Sequence, residues 1–269
     1  GGEPFLWPDL FEISRYSAMK GLITVVTTNG TLLDEAGLTS LCTAKINHLH
    51  FSLDGSEETH DRIRGKGVFK KALKAISDLQ KTPKKNGMSI GVAFTVMDEN
   101  VQEMFDTLLM ADGLGADIIN FQPVVNDNTD FTSREQSPFW ISPARIPILE
   151  SEIKKIRQYR PKHITISEEP QLELLVKYYQ GKLSSRDWRC FGGFKTMFVC
   201  FSKRQPLLYS CHGVCGNLNE VSLRQAWTSK EARRLRAHSR NCKTFCMQSC
   251  YSQASAQNLY NVIRTSIMN

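Results

Sequence analysis

Apolar positions along the first 180 residues follow two alternating rhythms. Residues 22–28 (LITVVTT) form an apolar, β-branched run closed by Asn29-Gly30, the pattern of a strand and its turn. Residues 34–44 carry Leu38, Leu41 and Cys42 at helical spacing, which places Cys42 in a core. Residues 46–54 (INHLHFSLD) alternate again, with Leu49, Phe51 and Leu53 on one side; His48 and His50, set between apolar neighbours, read as structural. Residues 67–81 return to the helical rhythm, with Phe69, Ala72, Leu73, Ile76 and Leu79 in one stripe. A strand over 88–96, a helix over 99–114 and a strand over 117–122 that stops at Pro123 follow. A helix over 144–159, a short strand over 163–167 and a helix over 172–179 complete this part.

Strand and helix thus recur at roughly 30 to 40 residues, the size of a βαβ unit. Parallel strands joined by crossover helices make an open sheet or a barrel. In either, ligand-binding groups gather on the loops after the strand C-termini.

Composition adds three constraints. The 269 residues, 41% hydrophobic and 23% charged, suit one large domain or one plus a small appendage. No apolar run has the length of a membrane span, and no basic-then-apolar leader opens the chain, so a soluble cytoplasmic protein is expected. Of the net charge of +7, residues 186–250 hold twelve Lys and Arg against three Asp and Glu, a net +9, which leaves −2 elsewhere. Such a segment fits an anionic substrate, an acidic partner or a solvated face; it contains no recognisable nucleic-acid module.

The eight cysteines are unevenly spread: Cys42 alone precedes Cys190, and seven fall between Cys190 and Cys250. Without a leader segment, metal or cluster ligation is the better reading than a disulfide framework.

Polar groups sit at the expected loop positions. Gly1-Gly2-Glu3-Pro4 comes first, then Thr27-Thr28-Asn29-Gly30, then Ser52-Leu53-Asp54-Gly55 followed by His60, Asp61, Arg62 and Arg64-Gly65. Each alone is ordinary turn chemistry. In this order, GGEP, TTNG, SLDG and HDRIRG resemble the radical S-adenosylmethionine superfamily, and within it the branch of anaerobic sulfatase-maturating and peptide-modifying enzymes. The resemblance implies that Gly1, Gly2, Glu3 and Pro4 meet the amino group of the cofactor's methionine moiety. It also implies that Thr28, Ser52, Asp54 and Arg64 hold the remainder, while no residue is assigned a catalytic role. The family's CxxxCxxC triplet, which binds the four-iron cluster that opens the reaction, is absent from this sequence. The chain is therefore expected to be truncated ahead of GGEP and, by itself, to produce no 5′-deoxyadenosine.

The last 80 or so residues carry a second pattern. Cys190-Phe191-Gly192-Gly193 leads into a hairpin, with strands expected over 196–201 and 207–209, ending at Cys211; Gly216-Asn217-Leu218, one helix over 222–238 and Cys242-x3-Cys246-x3-Cys250 follow. This order resembles the SPASM or twitch extension of the same superfamily. The resemblance implies an auxiliary iron–sulfur cluster on Cys190, Cys211, Cys242, Cys246 and Cys250, four thiolates sufficing for one cluster. From spacing alone, Cys211, Cys215, Cys242 and Cys246 also make an acceptable tetrahedral zinc site. Cys200 reads as a small core residue, and His212 is placed to hydrogen-bond a ligand cysteine.

The resemblance thus implies an α/β fold: a partial (β/α)6 TIM-like barrel lacking its first strands over residues 1–185, and a small cysteine-rich cluster-binding domain over 186–269. Its expected activity is radical modification of a peptide, a protein or a small metabolite, with S-adenosylmethionine, a [4Fe-4S] cluster and an electron donor such as flavodoxin or ferredoxin. The alternatives are a zinc-stabilised, non-catalytic binding module on a degenerate barrel, and a basic peptide- or nucleic-acid-binding protein.

Overall fold

A computed structural model describes residues 2–82, 87–125, 136–167, 171–202, 205–211 and 213–247, apart from the side chain of Cys42. The expected roles of Gly1, Cys42, His212 and Cys250 thus concern groups outside the described residues. The chain divides into two compact units, residues 1–180 and 181–269.

The first unit is built on five parallel strands in the order β1 (Val25–Thr28), β2 (His48–Ser52), β3 (Ser89–Val96), β4 (Ile118–Pro123) and β5 (Thr165–Ile166). Helices α1 (Leu10–Met19), α2 (Glu35–Thr43), α3 (Glu57–Arg64), α4 (Val68–Lys81), α5 (Met104–Gly113), α6 (Ile146–Gln158) and α7 (Leu172–Tyr179) accompany them. The expected stripe on α4 is buried through Phe69, Ala72, Ala75, Ile76 and Leu79. Leu49, Phe51, Val92, Phe94, Ile119 and Phe121 fill the apolar sheet face, the last pair of rings lying 5.5 Å apart.

Register sorts the opposite face into rows. Thr27, His50, Gly91 and Ile118 align in one. Ser52, Ala93 and Asn120 form the next, and Thr95 with Gln122 the one nearest the strand C-termini. This face is less buried than the other and mostly small or polar, a surface suited to a ligand rather than to helix packing.

An aromatic brace sets the ends of β3 and β4. The Tyr178 hydroxyl donates to the Val124 carbonyl (2.7 Å), and the Val124 amide donates to the Tyr179 oxygen (3.0 Å). The Tyr179 hydroxyl donates to the Val96 carbonyl, and the Trp140 indole donates to the Tyr179 carbonyl (3.1 Å). Burial pushes the Tyr179 phenol far above its ordinary pKa, so it stays a neutral donor.

The second unit has three antiparallel strands, β6 (Phe198–Ser202), β7 (Gln205–Ser210) and β8 (Gly213–Asn217), with α8 (Leu223–Thr228) and α9 (Lys230–Arg240). Leu208, Cys215, Ala226, Ala232 and Leu235 form its core. Three features depart from expectation. Strand β8 forms by pairing with β7 through a glycine-bearing stretch, against which α8 packs so closely that a Cβ on Gly216 would lie 3.0 Å from Ala226 Cβ. The single helix expected over 222–238 is two, since the Ser229 hydroxyl caps the second by accepting from the Ala232 amide (3.0 Å) and donates to the Cys215 carbonyl (3.2 Å). Cys200 is exposed rather than buried, because β6 is an edge strand with little packed against it.

Among the described residues no helix is long and apolar enough to cross a membrane.

Candidate functional site

The loops after β1 and β2 are organised by two carboxylates. Gly2 has φ +105°, a conformation only glycine adopts freely, and it delivers Glu3 to the start of a short 3-10 turn, Pro4–Leu6. The Glu3 carboxylate accepts from the Thr28 hydroxyl (2.6 Å), the Asn29 amide (2.9 Å) and the Phe5 amide (3.4 Å). Thr28 in turn accepts from the Gly30 amide (3.0 Å). Gly30 has φ +74° and a Cβ there would meet Ala72 Cα at 3.0 Å, so the turn after β1 needs glycine. Thr28 shares its sheet face with Val26 and is 1% exposed; its hydroxyl therefore anchors Glu3.

Asp54 is the second carboxylate, fully buried just beyond β2. It accepts from Arg64 Nε (2.5 Å) and the Thr95 amide (2.8 Å), while its own amide donates to His60 Nδ1 (3.1 Å). Asn100 donates to the Asp54 carbonyl (3.2 Å) and the Thr95 carbonyl (2.9 Å), joining the ends of β2 and β3.

The HDRIRG stretch, read from sequence as part of a ligand loop, lies mostly on α3, and each polar member has a task. His60 accepts the Asp54 amide; burial lowers its pKa, so it is neutral with its proton on the other ring nitrogen. The Asp61 carboxylate caps the turn into α4 by accepting from Phe69 (2.9 Å) and Gly67 (2.5 Å) amides, which hold its pKa below the ordinary value. Arg62 reaches Glu99 and Glu58, and Arg64 reaches Asp54. Glu103 completes the clamp, accepting from the Ser56 amide and the Thr59 hydroxyl, both at 2.5 Å.

Asp54 and Arg64 line a cavity of about 510 Å³ with Thr95, Gln122, Val124 and Phe139. It opens at the strand C-termini, where parallel α/β folds bind ligands. Ser52, 8% exposed, lies at the end of β2, in the row below. The sequence reading missed Thr95, Asn120 and Gln122; the signal available for them was polar residues alternating with Phe94, Ile119 and Phe121 along two apolar strands.

In the second unit, Cys190 and Cys242 line one cavity of about 500 Å³. Burial pushes the Cys190 thiol up, and neighbouring Cys242 adds to the shift. Each sulfur accepts a hydrogen bond from the amide two residues on, Gly192 to Cys190 (3.3 Å) and Thr244 to Cys242 (3.4 Å). Cys211 has φ +51°, and Phe245 and Met247, on either side of Cys246, have φ 42° and 52°. Among the described residues, no three His, Cys, Asp or Glu converge at metal-binding geometry. Cys215, a member of the zinc set read from spacing, packs in the apolar core of this unit, and burial raises its thiol pKa.

Residues 1–110 match the Radical SAM superfamily. Over 253 residues, 88% of this chain and 69% of the relative, the sequence is 31% identical to an AdoMet-dependent heme synthase of Methanosarcina barkeri. A PqqA peptide cyclase of Granulibacter bethesdensis is 27% identical over 86% of the chain and 60% of its own length. The fold is similar to that of SuiB from Streptococcus suis (TM-score 0.64, 13% identity, 88% of this chain and 56% of that one). It is also similar to AdoMet-bound anSMEcpe (TM-score 0.61, 18% identity, 89% and 68%). The chain belongs to the radical SAM superfamily, whose α/β architecture its five-stranded parallel sheet shares.

Proposed function

We propose that this chain is the S-adenosylmethionine-binding portion of a radical SAM enzyme, a partial barrel followed by a SPASM- or twitch-type unit. The observation that carries the proposal is the Glu3 carboxylate fixed by Thr28 and Asn29 on the same sheet edge as the buried Asp54–Arg64 pair. The cofactor is a sulfonium with an ammonium, a ribose diol and a flat base. Carboxylates, hydroxyls and an apolar-walled cavity at one edge are the matching set. Gly1, Gly2, Glu3 and Pro4 are assigned to the methionine end, and Thr28, Ser52, Asp54 and Arg64 to the rest, Thr28 acting through Glu3.

Bound there and reduced by one electron, the cofactor supplies hydrogen-abstraction chemistry. The chain's own part is to bind and orient: Glu3 offers negative charge, the Asp54–Thr95–Asn100 bonds lock two strand ends, and the Tyr178–Tyr179 brace holds the cavity wall. Cys190, Cys211, Cys242, Cys246 and Cys250 are assigned to an auxiliary cluster. The paired N–H···S bonds at Cys190 and Cys242 suit thiolates whose charge an iron–sulfur core would share. The substrate is proposed to be a peptide, a protein or a small metabolite; the relatives named above are a heme synthase and a peptide cyclase.

Calorimetric titration with S-adenosylmethionine tests the reading. The chain should bind it, and Glu3→Gln should bind at least about tenfold more weakly through loss of a charge-assisted contact. Anaerobic reconstitution should load iron and sulfide in equal amounts through the C-terminal cysteines. With dithionite, the chain should yield no 5′-deoxyadenosine, since it has no CxxxCxxC triplet. A chain that neither binds the cofactor nor takes up iron refutes the proposal.

A further inference from the structure

The loop that leaves β2 is held by a side chain that lines neither cavity, His60. The Leu53 amide still donates to the Ala93 carbonyl of β3 (3.0 Å). Amides alternate in direction along a strand, so that of Asp54 points the other way, toward β1. But β1 ends at Thr28, opposite Phe51. A buried amide that has lost its ladder partner is costly unless another acceptor takes over. His60 supplies that acceptor, its Nδ1 taking the Asp54 amide at 3.1 Å. The imidazole is fully buried, lies 5.7 Å from the Phe69 ring, and has its Nε2 without a hydrogen-bond partner among the described residues. Its one hydrogen bond therefore goes to the backbone of the residue whose carboxylate holds Arg64.

His60 and Arg64 stand four residues apart on α3, neighbours on one helix face, so a single helix grips Asp54 by its amide and its carboxylate at once. Asn100 and the Thr95 amide hold the carbonyl and the carboxylate from the β3 side. The amide has His60 alone. Without that bond the peptide plane ahead of Asp54 is free to turn, carrying the carboxylate and Arg64 away from the cavity they line. We propose that His60 is a positioning residue for the cofactor pocket, acting through the Asp54 amide and only as the neutral imidazole. Assigning that pocket to S-adenosylmethionine rests on the function proposed above. Protonation would set an N–H against the Asp54 N–H, donor facing donor, and bury a cation. Burial is the main cause holding the His60 pKa below the ordinary 6.5; Arg64 acts in the same direction, and Asp54 and Asp61 oppose it. Phe69, packed against the ring from α4, adds no charge. The hold is thus present at neutral pH and is lost as pH falls through the His60 pKa, below 6.5.

The full chain is titrated with S-adenosylmethionine at steps from about pH 7 to about pH 5, with the NMR signals of the His60 ring and the Asp54 amide followed on the same samples. In the parent, affinity should fall by about tenfold along the His60 titration, and the Asp54 amide should shift on the same curve. His60→Asn sets an amide oxygen near the Nδ1 position but does not titrate. It should bind close to the parent at neutral pH and lose the acid limb. His60→Phe keeps a ring without the acceptor and should bind about tenfold more weakly at every pH. If circular dichroism shows either variant unfolded, the parent decides, because a merely structural histidine would leave the affinity of the folded parent flat. A flat parent profile, an acid limb that persists in folded His60→Asn, or parent-like binding by folded His60→Phe overturns the proposal. No cofactor binding at any pH sinks the proposed function and this inference together, whereas binding with a flat profile sinks this inference alone.

Discussion

Arg64 Nε lies 2.5 Å from Asp54 Oδ2, pairing a guanidinium whose side chain is 29% exposed with a carboxylate that is fully buried. The pair is asymmetric: losing the arginine strands a buried charge, whereas losing the carboxylate leaves a cation that reaches water. Arg64→Met should therefore destabilise the first unit by about 3 kcal/mol, and Asp54→Asn by only about 1–2 kcal/mol. Urea unfolding of both variants and of the double variant measures the difference; equal costs would show that Asp54 does not depend on Arg64.

Acid sensitivity should trace partly to Asp112. Its carboxylate accepts from the Tyr159 hydroxyl (2.5 Å) and the Ile164 (3.3 Å) and Lys162 (3.5 Å) amides, tying the end of α6 to the approach of β5. The Tyr159 bond is the largest cause of a pKa held below the ordinary 3.8. A depressed folded-state pKa gives stability that is present above the unfolded value and is lost as pH falls through the folded one. Tyr159→Phe should cost about 1 kcal/mol at neutral pH. It should also flatten the decline in unfolding free energy below about pH 4. An unchanged acid limb would remove Asp112 from the account.

Gly91 is small because His50 lies across it. A Cβ at Gly91 would stand 2.5 Å from His50 Cδ2 and 2.9 Å from Ile118 Cγ2. Gly91→Ala should destabilise by about 1–3 kcal/mol through overpacking. Adding His50→Ala should recover part of that loss, with Ile118 still opposing the methyl group. Additive losses in thermal unfolding would show that the ring does not occupy this space.

Arg236 ties the Cys190 loop to the helices of the second unit. It donates to the Gly193 carbonyl (3.2 Å) and the Trp227 carbonyl (2.9 Å) and stacks 5.0 Å from the Trp227 ring centroid. Arg236→Met keeps the aliphatic stem and should cost about 1–2 kcal/mol from lost bonds to partly buried carbonyls. Hydrogen exchange should quicken around Gly193 while the first unit is unaffected. Protection unchanged at Gly193 would remove the tie.

How much was legible beforehand differs between the two units. Leu49, Phe51 and Leu53 alternate at a strict period of two, and Phe69, Ala72, Ile76 and Leu79 at a helical one, so those elements were plain. Helix α3 escaped because Glu57–Arg64 has no apolar stripe; it exists to carry capping and pairing groups. GGEP, TTNG and SLDG placed these groups at the strand C-termini, where Thr28 and Asp54 lie, but did not show the division of labour among them. That Thr28 serves Glu3, and that Asp54 is already spoken for by Arg64 and the Thr95 amide, depends on contacts between residues 10 to 41 positions apart.

By itself the sequence determined the alternation of strands and helices, the segregation of positive charge to the C-terminal segment, and the superfamily, because periodicity, composition and motif order are one-dimensional properties. Only the tertiary structure decided which faces those residues share: the polar rows of the sheet, the buried Asp54, the Ser229 break, the exposed Cys200 and the cavity lined by Cys190 and Cys242. Each follows from strand register and helix packing, which bring distant residues within bonding distance and which no local pattern encodes.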